Sequence, residues 1–249
     1  MTKNATGAGL PLIFVCDHAS NALPPEYGSL GLPPEAFARH IAYDIGAAEV
    51  TRALAAHFGT PAILGPFSRL LVDLNRGPDD PTLVMKLSDR AIIPGNAQAS
   101  AAEIAKRLRL YYQPYHDSIK SEIARVEGRG VAPVLISIHS FTPDWRGWKR
   151  PWHIGILWSE KDPRLAKFML ERLARESDLT VGDNEPYSGE LEGDCMDQHA
   201  VAHGFAHVLI ELRQDLVDTE EKAQKWAERL APILQDALQS LDLQPLARR

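Results

Sequence analysis

Short, nearly unbroken apolar runs alternate along this chain with longer stretches whose apolar positions recur every three to four residues. Runs of four to eight apolar residues suit buried strands, and the 3.6-residue period suits helices packed by one face. PLIFVC, at 11–16, reads as the first strand, and a Pro- and Gly-punctuated loop follows it. Phe37, Ile41, Ile45, Ala48 and Leu54 keep helical spacing, which predicts a helix over 35–57, closed by Gly59 with Pro61 just beyond. PAILGPF and SRLLVDLN read as two β-rich runs, and 76–97 as a long irregular segment of the kind that lines sites. Helical periodicity returns over 99–126, where Pro114 predicts a kink or a split.

VAPVLISIHSF is almost wholly apolar, as a central strand of a parallel sheet must be. Past a loop carrying Trp145, Trp148 and Trp152, HIGILWS gives another strand, 163–176 an amphipathic helix, and 183–195 a Gly- and acid-rich loop. FAHVLIEL is the last strand. The final helix begins near Thr219, with Asp218 and Glu221 at capping-box spacing, and reaches about Leu241 with a possible disturbance at Pro232. Strands alternating with helices imply an α/β fold, a mainly parallel sheet covered on both faces. No linker interrupts the pattern, so 1–249 reads as one domain with a polar tail over 1–10.

Composition narrows the function without deciding it. The 249 residues are 45% hydrophobic and 24% charged, an ordinary globular balance, with a formal net charge of -6. Nucleic acid and anionic membrane reward basic surfaces, so neither is an expected partner. No apolar run is long enough to span a bilayer, and the first residues lack the apolar core of a signal peptide. Cys16 and Cys195 are too few for a disulfide framework and form no CxxC, which fits a reducing, cytoplasmic setting.

Three of the apolar runs carry reactive side chains at their ends: His18 after the first strand, His139 in ISIHS, and Glu211 in IELRQD. In open α/β sheets ligands bind beyond the carboxyl ends of the strands. A lone histidine in such a place is usually a hydrogen-bonding loop residue, but two at one sheet edge fit zinc, which takes imidazole readily and needs a third protein ligand. Asp44 is the preferred third ligand, because helical spacing turns it inward; a salt bridge to an arginine competes equally. Asp17 and Asn21 are weaker candidates. A carboxylate in an apolar strand end, such as Glu211, suits a general base whose pKa burial has raised; pairing with Arg213, two residues on along the same strand face, is the structural alternative. If SRLLVDLN is a strand, Arg69, Leu71, Asp73 and Asn75 share one face, and Arg76 with Asn75 reads as a clamp for a substrate carboxylate. His116 reads as packing or capping. Neither GxSxG nor GxGxxG nor a P-loop occurs, which disfavours serine hydrolases and nucleotide cofactors.

Taken in order, CDHASNALPPEYG, DIGA, FSRLLVDLNR, YYQPYH, ISIHSF and IELRQD resemble the N-formylglutamate amidohydrolase family, from about Leu12 to Asp215. The resemblance implies a zinc carboxypeptidase-like fold, a three-layer α/β/α sandwich around a mixed, mostly parallel sheet. It implies zinc on His18 and His139, Asp44 as an aspartate shared with the family, Glu211 as the catalytic glutamate, and Asn75–Arg76 as the carboxylate-holding pair, assisted by Arg69 or Arg213. Carboxypeptidases carry a glutamate ligand three residues after the first histidine; here that position is Asn21, so the third ligand stays open. The implied reaction releases a formyl group from N-formyl-L-glutamate, a step of histidine degradation. Hydrolysis of another small N-acyl amino acid or amide, and non-catalytic binding by a protein that has lost its metal, are the alternatives.

Overall fold

The sheet is built from the apolar runs the pattern picks out. In the computed structural model, which describes residues 9–241, its strands are β1 (Leu12–Cys16), β2 (Ala62–Leu64), β3 (Val134–Phe141), β4 (Ile154–Leu157), β5 (Val181–Asp183) and β6 (Ala206–Arg213). Their order is β2-β1-β3-β6-β4-β5. The first four run parallel, and β4 pairs antiparallel with β6, giving a mixed, mostly parallel sheet. Every residue of β3 is buried, as its apolar sequence requires of a strand covered on both faces.

Helices α1 (Ala47–Phe58), α4 (Arg164–Leu173) and α6 (Glu220–Ser240) cover one face, against Leu12, Phe14, Val134, Ile136, Ile138, Val208 and Ile210. Helices α2 (Ala101–Arg107), α3 (Gln113–Glu127) and α5 (Cys195–His199) occupy the other side. There Tyr112, Tyr115, Ile119, Ile123 and Cys195 pack with Ile13, Val15, Leu135 and Leu209. This is a three-layer α/β/α sandwich. Side-chain alternation along the strands then has a consequence for chemistry. Asp17, His139 and Glu211 continue the series of Ile13, Val15, Leu135 and Leu209, so they share the α3–α5 face at the carboxyl edge.

Three sequence expectations are corrected. The helix expected over 35–57 is a short 3₁₀ turn (Pro34–Ala38), a run of turns, and then α1. Gly46, at φ 78°, is in the left-handed region and cannot continue a helix before it. The helical spacing of Phe37 and Ile41 arises instead from a small core of its own, where Ile41, Ala42, Leu30, Leu32, Leu70 and Ile93 pack beneath the loop. Residues 68–75, expected as a strand, are turns with buried side chains: Ser68 Oγ donates to the Ala42 carbonyl, and Asp73 Oδ1 accepts from the Asn75 amide. Such local side-chain bonds satisfy the backbone without a neighbouring strand. Arg69 and Asp73 therefore lie one turn apart, four residues on, rather than along a strand face.

Other expectations hold with shifted details. The irregular stretch after Arg76 contains only a tiny hairpin, Leu87–Ser88 against Ala91–Ile92, and a turn of helix at Pro94–Ala97. The split near Pro114 is a π-helical turn, Leu108–Tyr112, inserted between α2 and α3, as befits a residue that cannot donate to the preceding turn. Thr219 itself caps α6, accepting from the Lys222 amide, and the helix passes through Pro232 to Ser240. The tryptophan-rich loop folds back as a hairpin, Asp144–Trp145 against Trp148–Lys149. Of the tail expected over 1–10, residues 1–8 lie outside the described residues.

Gly46 also permits close packing: a Cβ there would lie 2.0 Å from the Val217 carbonyl oxygen. Gly46→Ala is therefore expected to lose at least ~1–3 kcal/mol from the backbone conformation alone, before the clash. Denaturant unfolding checks this, and a variant within ~0.5 kcal/mol of wild type would show that the turn relaxes freely.

Candidate active site

Three carboxyl-edge strands and two loops deliver charged side chains to one cavity of about 430 Å³. His18 follows β1, His139 lies on β3, and Glu211 on β6 sits opposite His139 in the parallel register. Asp44 reaches the cavity from the turn before α1, where its amide donates to the His18 carbonyl at 2.9 Å. Its carboxylate Oδ2 is 2.8 Å from His139 Nδ1 and 3.3 Å from His18 Nδ1. The two imidazoles meet edge to face, with centroids 5.0 Å apart.

Each imidazole is braced from behind by a second carboxylate. His18 Nε2 lies 2.7 Å from Asp73 Oδ1, and His139 Nε2 lies 3.0 Å from Asp17 Oδ2. Asp73 also receives Arg69, whose Nη2 is 2.7 Å from Oδ2, and Asp17 receives the Tyr115 hydroxyl at 2.7 Å. All five of these carboxylates and imidazoles, Asp44 included, are at most 4% exposed. Burial opposes ionisation of Asp17, but His139 and His18 outweigh it and hold the carboxyl below its usual range. In the same way burial would lower the His139 pKa, and Asp17 and Asp44 instead hold it well above normal.

This arrangement fits a cation. Histidine ligands of metals characteristically give their other nitrogen to a carboxylate, which fixes the tautomer and turns the ligating nitrogen inward. With Asp73 and Asp17 on the two Nε2 atoms, the nitrogens left for a metal are both Nδ1, and both face Asp44. One donor atom from each of His18, Asp44 and His139 lies within 4.8 Å of the others. Two imidazoles and one carboxylate make a zinc set with room for further ligands. Without a cation, the upward-shifted imidazoles and Arg69 offset the three aspartates; a metal would compete with the ring protons.

Glu211 stands beside this group as the one acid without support. It is 6% exposed, and its buried Oε2 has no hydrogen-bond partner. Burial pushes its pKa up to about 7, with Asp44 adding and His139 subtracting. Arg213, offered by the sequence as its partner, points away: its guanidinium pairs with Asp215 at 2.7 Å and it does not line the cavity. Asn75 and Arg76 do line it. The Asn75 side-chain oxygen accepts the Cys195 amide at 3.0 Å, which leaves its NH₂ as the end available to a ligand. Arg76 is held by the Asn75 carbonyl at 2.8 Å and has only a distant carboxylate, Asp80, at 3.9 Å. Arg69 is shared between Asp73 and Asp44, its Nη1 3.5 Å from Asp44 Oδ1.

Asn21 takes no place in the cavity; its amide donates to the Phe37 carbonyl. Sequence reasoning ranked Asp17 low and gave Asp73 no role, although DH at 17–18 and the odd polar positions of SRLLVDLN were the signals. It also passed over Asp194, which lines the cavity, caps α5 through the Asp197 amide, and has a pKa raised by burial to about 7.

The sandwich and its cavity belong to a hydrolase acting on linear amide bonds, the class to which the family match assigns the chain. The family model for N-formylglutamate amidohydrolase matches residues 10–217, and the chain belongs to that family. Among solved structures it is similar to the gene product Atu2144 from Agrobacterium tumefaciens, with 37% identity, TM-score 0.88, and coverage of 92% of this chain and 91% of that one. It is also similar in fold to the N-formylglutamate amidohydrolase from Ralstonia eutropha JMP134, with 21% identity, TM-score 0.67, and coverage of 93% and 94%. No curated protein matches significantly. No helix among the described residues is long and apolar enough to cross a membrane.

Proposed function

We propose that this amidohydrolase is metal-dependent and removes the acyl group, most simply formyl, from an acidic N-acyl amino acid such as N-formyl-L-glutamate. The observation that carries the reading is Glu211, a buried carboxylate that lines the cavity beside the His18–Asp44–His139 group and whose Oε2 has no hydrogen-bond partner. Binding alone needs no such group, and desolvating it is costly; that favours catalysis over a binding protein that has lost its metal.

Those three residues would hold one zinc ion, which when bound supplies Lewis acidity toward the acyl carbonyl and toward water. Glu211 takes the proton of the attacking water and passes it to the departing amine, work that suits a carboxylate titrating near neutrality. Arg69 supplies positive charge at the cavity wall for the oxygen that becomes anionic. Asn75 and Arg76 grip a substrate carboxylate and fix the amide for attack. The cavity is sized for a small molecule, not for a polymer. A cytoplasmic place at the end of histidine degradation is part of the same reading.

The test is hydrolysis of N-formyl-, N-acetyl- and amide-capped amino acids by zinc-loaded protein. Preference for formyl glutamate supports the reading; hydrolysis of none, with no metal retained, supports a binder instead. Arg76→Lys is expected to raise KM for N-formylglutamate about tenfold or more, since lysine keeps charge but loses the two-pronged donor geometry. Its effect on the carboxamide analogue should be small. Equal losses on both substrates would make Arg76 a scaffold residue.

A further inference from the structure

Behind the cavity, on the same face of the sheet, lies a second group that the proposed chemistry does not use. Cys195 and His199 are four residues apart on α5, and therefore on one side of it, facing His116 from α3. One nitrogen of each ring and the Cys195 sulfur lie within 4.8 Å of one another. We infer that His116, Cys195 and His199 form a second, buried binding site for a borderline-soft transition-metal ion such as zinc.

The alternative is a hydrogen-bonded histidine pair beside an inert thiol. His116 Nδ1 and His199 Nε2 are indeed 2.7 Å apart. That contact accounts for one nitrogen per ring; His116 Nε2 is buried without a well-formed hydrogen bond, the Leu74 backbone offering it only a loose contact, while the Cys195 thiol faces Asp17. Residues His116, His199 and Cys195 are 1%, 1% and 0% exposed, so bulk solvent does not reach them. Buried polar atoms without partners call for an explanation, and an ion is one of the few available. The donor set is also selective: two imidazoles and a thiol suit zinc and its neighbours, not magnesium or calcium.

Charge balance supports the assignment. Both imidazoles are kept neutral by burial, which lowers their pKa values to about 4 and about 3, so their lone pairs are available. The Cys195 thiol is kept protonated by burial and by the Asp17 carboxylate it faces. A divalent ion would displace the thiol proton, and the resulting thiolate together with Asp17 would neutralise it. Asp17 also braces His139. An ion here would therefore fix, through Asp17, the orientation of a ring in the cavity while joining α3 to α5; its role is positioning. None of His116, Cys195 and His199 lines the cavity, so the two centres are separate.

Cobalt(II) decides the matter, because the His18–Asp44–His139 group contains no sulfur. Wild-type protein saturated with Co(II) should show thiolate-to-cobalt charge-transfer absorption in the near ultraviolet. Cys195→Ser should lose the band, whereas Cys16→Ser, whose thiol lies on the opposite face, should keep it. Zinc content should fall from two ions per chain to one in Cys195→Ser and in His199→Gln. A wild-type protein with no band, or with the same zinc content as folded Cys195→Ser, overturns the second site. Should Cys195→Ser not fold, the Co(II) spectra of wild type, Cys16→Ser and His199→Gln decide alone. The inference stands apart from the proposed function: a band without turnover keeps this site and removes that reading, and turnover without a band does the reverse.

Discussion

Glu211→Gln is expected to yield a folded protein that still binds metal but turns over at least ~10²-fold more slowly, the low end for losing a general base. The amide has nearly the same shape as the acid and cannot accept a proton from water. Because Oε2 has no partner and Arg213 is engaged with Asp215, the change breaks no ion pair. The ~3–5 kcal/mol loss that follows removal of one member of a buried pair should therefore be absent. Stability should even move the other way in metal-free protein. Burial raises the folded-state pKa of Glu211 to about 7, above the ~4.3 of an unfolded chain. Below the unfolded value both states are protonated and the residue is neutral to stability. As pH rises toward 7 the unfolded chain ionises more readily, so wild type loses stability that the glutamine variant keeps. The variant should match wild type near pH ~4 and melt higher near pH ~8, and the acidic limb of its kcat/KM profile should disappear. An unstable variant with normal turnover per folded molecule would remove Glu211 from the chemistry.

The second large effect concerns the cation. Chelation should abolish turnover and zinc should restore it. Asp44→Asn should bind one ion fewer and be inactive, since a neutral amide oxygen is a poor zinc donor and the charge facing both Nδ1 atoms is gone. Asp73→Asn should be graded rather than absolute. Its carboxylate orients His18 and pairs with Arg69 without facing either Nδ1 atom, so metal affinity should drop about 10–100-fold and saturating zinc should recover activity. Zinc titrations followed by turnover measure both. If Asp44→Asn keeps full zinc and full activity, Asp44 serves Arg69 and not a metal; if Asp73→Asn behaves like Asp44→Asn, the bracing carboxylate matters as much as the ligand.

Much of the scaffold was legible because strand and helix signals are local. PLIFVC, VLISIHSF and AHVLIELR can be buried on both faces only as strands of a covered sheet, and periodic stretches between them supply the covers. The positions of His18, His139 and Glu211 followed, since a residue at the carboxyl end of such a strand arrives at the edge where ligands bind. Segments without regular structure were read less well. Asp44 was placed on a helix that stops at Gly46, and residues 68–75 were read as a strand although side-chain bonds hold them in turns.

By itself, then, the sequence determined the class of fold, the sheet edge where His18, His139 and Glu211 gather and the family resemblance, because each depends on neighbours in the chain. Partnerships were decided only by the tertiary structure. Asp17 meets His139 across 122 positions, Asp73 meets His18 across 55, and His116 meets His199 across 83. Arg213 turned to Asp215, two residues away, instead of to Glu211. Which acid braces an imidazole, which stays without a partner and which thiol faces two imidazoles depend on how loops close over the sheet. Those closures are fixed by packing and buried hydrogen bonds between segments far apart in the chain, and no local spacing encodes them.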